Sequence, residues 1–330
     1  MPSVSDFDWF AFVAGAPRCG TTTLSHFLKE HPAVSFPAVK EPHFFAQHDL
    51  RGLPPAELEA CVEEEYLRRF FRDNSDRRVG ADASVTYLYT PEQLEPAIRL
   101  WPESRFVVSV RDPLTMLPSL HQRLLYIGDE TITDFAAAWA ASADRAAGRR
   151  IPKGCADPRW LRYDEAARFA TYLERLFSAV GRERCLVLNF DEMVADTEGQ
   201  YRRFIDFVGL EPEAEVSLAP RRAGYQVRLH WLQRLLKRPP GPIREHFAGQ
   251  HYRQRIADLD KADEDKGQTA IWSIRKRLLR WNRKLGSPDP VPLDVQRAIA
   301  DHYRGEIERL GELLGRDFST WLRPSTTRAC

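Results

Sequence analysis

Residues 9 to 15, Trp-Phe-Ala-Phe-Val-Ala-Gly, form an apolar run that ends at Gly15. A short turn follows, Gly20 closes it, and a helix-compatible stretch runs from Thr21 to His31. The pattern predicts a strand, a glycine-bounded loop and a helix N-terminus. Asn74 to Arg78 is a polar turn, and Gly80 to Tyr89 is short and β-prone. Arg105 to Val110 reads as a buried strand ended by Arg111-Asp112-Pro113, and Leu114 to Tyr126 continues as a helix. Phe169, Leu173, Leu176 and Phe177 fall at helical spacing within Tyr163 to Val180, and Gly181 stops that helix. Cys185 to Phe190 is a second buried strand, after which Asp196-Thr197-Glu198 caps a helix through Phe207. Such alternation predicts an α/β fold: a parallel sheet flanked by helices. Ligands of these sheets bind beyond the C-terminal strand ends, where Gly15–Gly20 and Arg111 would lie.

From about Arg221 the pattern changes. Pro239, Pro240 and Pro242 break the chain, and Asp258 to Asp265 is a charged, solvated stretch. Ile271, Ile274, Leu278, Trp281 and Leu285 make a stripe at helical spacing among Arg275, Lys276, Arg277, Arg280, Arg283 and Lys284. Val295 to Leu314 is a final amphipathic helix. The expected organisation is one domain: an α/β core over 1–210, a basic and mostly helical insertion over 221–292, and a C-terminal helix over 293–321 that packs on the core.

Charge changes the picture of the insertion only. The 330 residues carry a net charge of +1, yet residues 221–284 hold 17 Lys/Arg against 6 Asp/Glu. That local excess points to an anionic partner or to a solvated outer face of a helix packed on the core. The partners in view are an anionic glycan, a lipid-linked acceptor, or a membrane surface contacted through the basic helix 271–286. Arginine outnumbers lysine 40 to 8, which suits a GC-rich bacterial genome. Five widely spaced cysteines show neither metal-ligand spacing nor a disulfide framework. Without a basic leader or a membrane-spanning apolar run, a cytoplasmic protein is expected.

Three motifs carry candidate chemistry. The first is Gly15-Ala16-Pro17-Arg18-Cys19-Gly20-Thr21-Thr22-Thr23-Leu24. Converging amides and a helix N-terminus make an anion cradle. The glycine spacing matches a Walker A loop, but Thr21 stands where that loop needs lysine, and the cation comes earlier, at Arg18. The second is Arg111, with Ser119 eight residues on; a guanidinium and a hydroxyl there suit one phosphate, and a structural Arg–Asp pair with Asp112 is the alternative. The third is Lys40-Glu41-Pro42-His43-Phe44-Phe45. Glu41 suits a general base shielded by aromatic rings, or a plain surface carboxylate; His43 suits a site residue or a packed core histidine.

Taken together these motifs resemble the sulfotransferases that use 3′-phosphoadenosine 5′-phosphosulfate (PAPS), in the heparan-sulfate-type branch and its bacterial relatives. Gly15–Leu24 is similar to the family's 5′-phosphosulfate loop, Arg111 to Ser119 to its 3′-phosphate motif, and Lys40–Phe45 to the segment bearing its catalytic glutamate. Gly80-Ala81-Asp82-Ala83-Ser84-Val85-Thr86-Tyr87-Leu88 resembles a family strand followed by acceptor-side contacts. The segment Leu186 to Leu210 resembles the later βα unit, and His302 to Asp317 the C-terminal helix. Two positions depart from the family: Arg18 and Ala83 stand where lysines are common.

The resemblance implies a P-loop-like nucleotide-binding core and in-line sulfuryl transfer to an acceptor hydroxyl or amine of a glycan, lipid or small metabolite. It implies Glu41 and Arg18 as catalytic residues. Arg18, Cys19, Gly20, Thr21, Thr22, Thr23, Arg111, Ser119 and Arg222 would bind the donor, and His43, Ser84 and Tyr87 the acceptor. No metal and no nucleic acid are expected. A Mg-ATP-dependent small-molecule kinase and a non-catalytic nucleotide-binding scaffold are the competing readings.

Overall fold

The computed structural model describes residues 2–71, 77–213, 217–218, 225–238 and 270–325. The polar turn at 74–76, the Arg221–Gly224 segment with Arg222, Pro239 to Pro242 and Asp258 to Asp265 lie outside the described residues. The strands are β1 (Trp9–Gly15), β2 (Val34–Ser35), β3 (Val79–Asp82), β4 (Arg105–Val110), β5 (Cys185–Asn189), β6 (Tyr225–Val227) and β7 (Arg283–Leu285). The helices that matter are α1 (Thr21–Glu30), α2 (Pro113–Ile127), α3 (Phe169–Val180), α4 (Phe190–Ala195), α5 (Thr197–Phe207), α6 (His230–Lys237), α7 (Ala270–Asn282) and α8 (Leu293–Leu314).

The chain divides into two compact units, residues 1–111 with 169–222, and residues 112–168 with 223–330. Residues 112–168 group with residues 223–330, which include the last helix.

The first unit holds a five-stranded sheet in the order β2-β3-β1-β4-β5, and every pairing is parallel. Its central strand β1 is buried on both faces, as a parallel sheet requires. Ala11 and Val13 join a core with Leu24, Phe27 and Leu28 of α1 and Phe204 and Ile205 of α5. Phe10 and Phe12 pack on the other side, where the Phe10 and Trp101 ring centres are 4.2 Å apart and Phe12 stacks on Phe106. Gly80 leaves room for this layer: a Cβ there would come within 2.3 Å of the Phe10 ring.

Because the strands are parallel, the ends of β1, β3, β4 and β5 open on one edge of the sheet. The sequence expected a strand through Tyr89, but β3 stops at Asp82 and gives way to short turns. Likewise α3 begins at Phe169, because residues 158–167 turn on local bonds such as Arg162 to Asp164.

In the second unit, α2 is capped by Asp112, whose Oδ1 accepts the Leu114 amide at 2.9 Å. Arg145 and Glu130 form a fully buried ion pair at 2.7 Å, and Tyr163 donates to the same carboxylate at 2.9 Å. The antiparallel pair β6–β7 sits beside α6 and α7 in the chain, so Leu285 belongs to a strand rather than to the helical stripe. Ile274, Leu278 and Trp281 of that stripe are exposed, which overturns the expectation that α7 packs its apolar face on a core.

Candidate functional site

The loop after β1 is held from three sides within the first unit. The Ala16 amide donates to the Ser109 carbonyl of β4 at 2.9 Å. Arg111, nearly buried at the end of β4, donates from Nη1 to the Arg18 carbonyl at 3.1 Å. Gly20 adopts φ +84°, and a Cβ there would stand 2.9 Å from Phe190. Gly20 thus serves as the N-cap of α1 with no side chain in the way. Thr21 and Thr22 open the helix, so their amides belong to the group that a helix leaves without carbonyl partners. With the helix dipole, these amides favour an anion.

Cys19 does not join them. It is fully buried, its amide donates to the Ala16 carbonyl at 3.3 Å, and its thiol faces the Pro17 carbonyl. Burial pushes that thiol up to about 12, against the pull of Arg111 and Arg18. Cys19 fills the loop from inside, through its thiol and its amide.

Phe190, the first residue of α4, escaped the sequence reading, which ended a strand on it. Its ring lies under both the Gly20 position and the Arg111 guanidinium, which sits 4.4 Å from the ring centre. Asp191 follows it; burial raises its carboxyl and Arg111 opposes the rise. Arg111 is therefore a nearly buried cation at the sheet edge, held by a carbonyl, a ring and a carboxylate's field.

The Lys40–Phe45 segment reaches the same unit's edge through the residues after β3. The His43 amide donates to Ser84 Oγ at 2.9 Å, and His43 Nδ1 is 2.8 Å from Thr86 Oγ1. The Glu41 carboxylate pairs with Lys40 and lies 3.8 Å from His43 Nε2. Burial lowers the His43 imidazole below its ordinary value, so it favours the neutral form. Glu41 remains about one-third exposed.

Ser84 and Tyr87 follow the end of β3. Both are fully buried, and both donate to Asp82, at 2.6 and 2.7 Å. Ser84 holds the Lys40–Phe45 segment through the His43 amide. A serine and a tyrosine just past a strand end carry no periodicity that separates inward from outward, so the sequence does not show their burial. Ser119 is buried in α2 of the second unit.

Four non-glycine residues among those described have φ above +20°: Arg18, Glu41, His43 and Arg150. Three belong to the two segments just described. Side chains in that region are strained, and such residues persist only where their surroundings enforce them. No group of His, Cys, Asp and Glu suited to a metal ion occurs among the described residues.

A family model described as "Sulfotransferase family" matches residues 11–214. Heparan sulfate glucosamine 3-O-sulfotransferase 3A1 of Mus musculus is 24% identical over 201 residues, covering 61% of this chain and 46% of that protein. Heparan sulfate glucosamine 3-O-sulfotransferase 6 of Homo sapiens is 24% identical over 205 residues, with 61% and 52% covered. The chain spans about half the length of these curated relatives. The crystal structure of a sulfotransferase from Alicyclobacillus acidocaldarius shares the fold, with a TM-score of 0.61 at 20% identity over 96% of this chain and 99% of that one.

Proposed function

The chain belongs to the sulfotransferase family, and from that premise we propose that it moves a sulfuryl group from PAPS to an acceptor hydroxyl or amine. The observation that supports this most is that three elements meet at the C-terminal edge of one parallel sheet: the Arg18–Thr23 loop, the Arg111 guanidinium and the Glu41 segment. The residues there suit a doubly anionic donor, with two guanidinium groups, the first amides of a helix and three threonine hydroxyls. The donor supplies a sulfuryl group already joined to a phosphate leaving group.

In this reading the amides of Thr21 and Thr22 and the hydroxyls of Thr21, Thr22 and Thr23 hold the 5′-phosphosulfate, while the Thr23 amide stays on the Gly20 carbonyl at 2.9 Å. Arg18 offsets the charge that grows on the bridging oxygen, and as a fixed fork it does so with more directional demand than a lysine. Arg111 takes the 3′-phosphate, and Ser119 is assigned as a donor contact from its spacing in the sequence alone. Glu41 removes the acceptor proton, and neutral His43 lines the acceptor's approach. As in phosphoryl transfer, positioning and charge stabilisation supply most of the rate. The curated relatives are named for the glucosamine of heparan sulfate, so a glucosaminyl hydroxyl is the first acceptor to try.

Titration calorimetry of the full chain with adenosine 3′,5′-bisphosphate, free of divalent metal, tests the donor half. Uptake that weakens in Arg111→Ala is expected. Glu41→Gln should keep that uptake and lose at least ~10²-fold in transfer rate. Absence of uptake by the wild type, or a Glu41→Gln variant at full rate, overturns the reading; Mg-ATP uptake in its place indicates a kinase.

A further inference from the structure

Asp82 ends β3 and is fully buried. Its Oδ2 accepts the hydroxyls of Tyr66 at 2.9 Å and Tyr87 at 2.7 Å, and its Oδ1 accepts the Ser84 hydroxyl at 2.6 Å. Burial drives the carboxyl upward and the three hydroxyls oppose it. A buried carboxylate with this many donors is expensive to build and pointless for packing alone, since apolar groups of the same shape serve that end as well.

The next link shows what the arrangement achieves. A serine hydroxyl has one proton and two lone pairs. With its proton given to Asp82, Ser84 can only accept along its other direction, and there it receives the His43 amide at 2.9 Å. A directed chain therefore runs from His43 through Ser84 to Asp82. His43 and Glu41 flank Pro42, and both sit at positive φ, +57° and +62°. The tether acts on the strained segment itself, one proline away from the carboxylate.

We infer that Asp82 and Ser84 are positioning residues for the Glu41 base: the buried carboxylate fixes the Ser84 proton, and Ser84 in turn holds the Lys40–His43 turn in the shape that presents Glu41. Neither residue touches substrate. The inference rests on Glu41 being the base.

Ser84→Ala tests it with the smallest change of volume, and Asp82→Asn, which removes the charge but keeps an acceptor, is the companion. Ser84→Ala should speed hydrogen exchange of the His43 amide by at least about tenfold. It should lower kcat about tenfold, the effect of one lost hydrogen bond, leaving bisphosphate affinity unchanged. The rate is read as bisphosphate released from PAPS, with a glucosaminyl oligosaccharide and with water as acceptors. In a Glu41→Gln background the same substitution should cost nothing further in rate. Unaltered His43 exchange, an equal penalty in the Glu41→Gln background, or parallel loss of bisphosphate binding overturns the inference. A Glu41→Gln enzyme at full rate defeats the assignment of the base instead, and is told apart by that variant alone.

Discussion

The guanidinium of Arg111 lies 4.4 Å from the centre of the Phe190 ring while its Nη1 holds the Arg18 carbonyl. One aromatic side chain thus sets the height of a cation, and through it the turn of the loop after β1. The Gly20 position rests on the same ring. Phe190→Ala should therefore weaken adenosine 3′,5′-bisphosphate binding by about tenfold, while Phe190→Tyr, which keeps the ring face, stays within about threefold. Calorimetry on the two variants checks this; equal losses in both would mean that the ring face is not what supports Arg111.

The Arg145–Glu130 pair makes a separate prediction about stability. Both side chains are fully buried, Tyr163 donates to Glu130, and the Thr131 and Ile132 amides donate to the same carboxylate at 2.7 and 2.9 Å. Removing one charge strands the other without water. Arg145→Met should cost about 3–5 kcal/mol, whereas replacing both partners with apolar residues should cost less. Urea unfolding monitored by fluorescence reads both, and a single variant milder than the double would contradict the account.

Much of the sheet was legible because β1, β4 and β5 are mostly apolar runs closed by glycine, Arg-Asp-Pro or a helix cap. Arg105–Val110 appears as the sequence predicted it. What escaped follows from tertiary contacts that no periodicity records. Asp82 looks like a polar interruption, and its burial depends on Tyr66, sixteen residues earlier in the chain. Phe190 continues the apolar run of β5, and only its place beneath Gly20 gives it a role. The α7 stripe has helical spacing, but spacing does not say whether an apolar face meets a core, and here Ile274 and Trp281 are exposed. At the site, the strand, glycine-bounded loop and helix start from Trp9 to Thr23 were readable because their signals are local. The support beneath Glu41 was not, because it joins residue 43 to residue 84.

Lys237, in α6, sits with its Nζ 5.5 Å from the Tyr126 ring centre. Burial, together with the charges of Arg275, Arg123 and Arg238, lowers its ammonium from 10.5 to about 8. Unfolding restores the ordinary value, so between about 8 and 10.5 the unfolded chain binds more protons and stability rises with pH. The penalty is full below about 8. It amounts to roughly 3 kcal/mol, against about 0.5–1 kcal/mol from the ring contact. Lys237→Met should raise the thermal midpoint at pH 7, and the gain should shrink toward pH 10. A gain independent of pH, or a loss at pH 7, would show that the ammonium is not destabilised.

The thiols bear on how this loop can be probed. Burial pushes Cys19 and Cys185 up to about 12 and Cys155 to about 11. The thiolate is the nucleophile, so at pH 8 almost none of it is present at Cys19. Iodoacetamide should leave Cys19 unmodified in the native protein at pH 8 over hours and should label it once urea unfolds the chain, as peptide mass mapping would show. The same shift makes a claim about alkaline stability. A folded pKa above the ordinary value favours the native state at pH below about 9, and this support is lost as pH climbs toward about 12. Rapid native labelling of Cys19 at pH 8, with adenosine 3′,5′-bisphosphate binding falling as the label accumulates, would instead place that thiol on the open side of the loop and require the loop's amides to be reassigned.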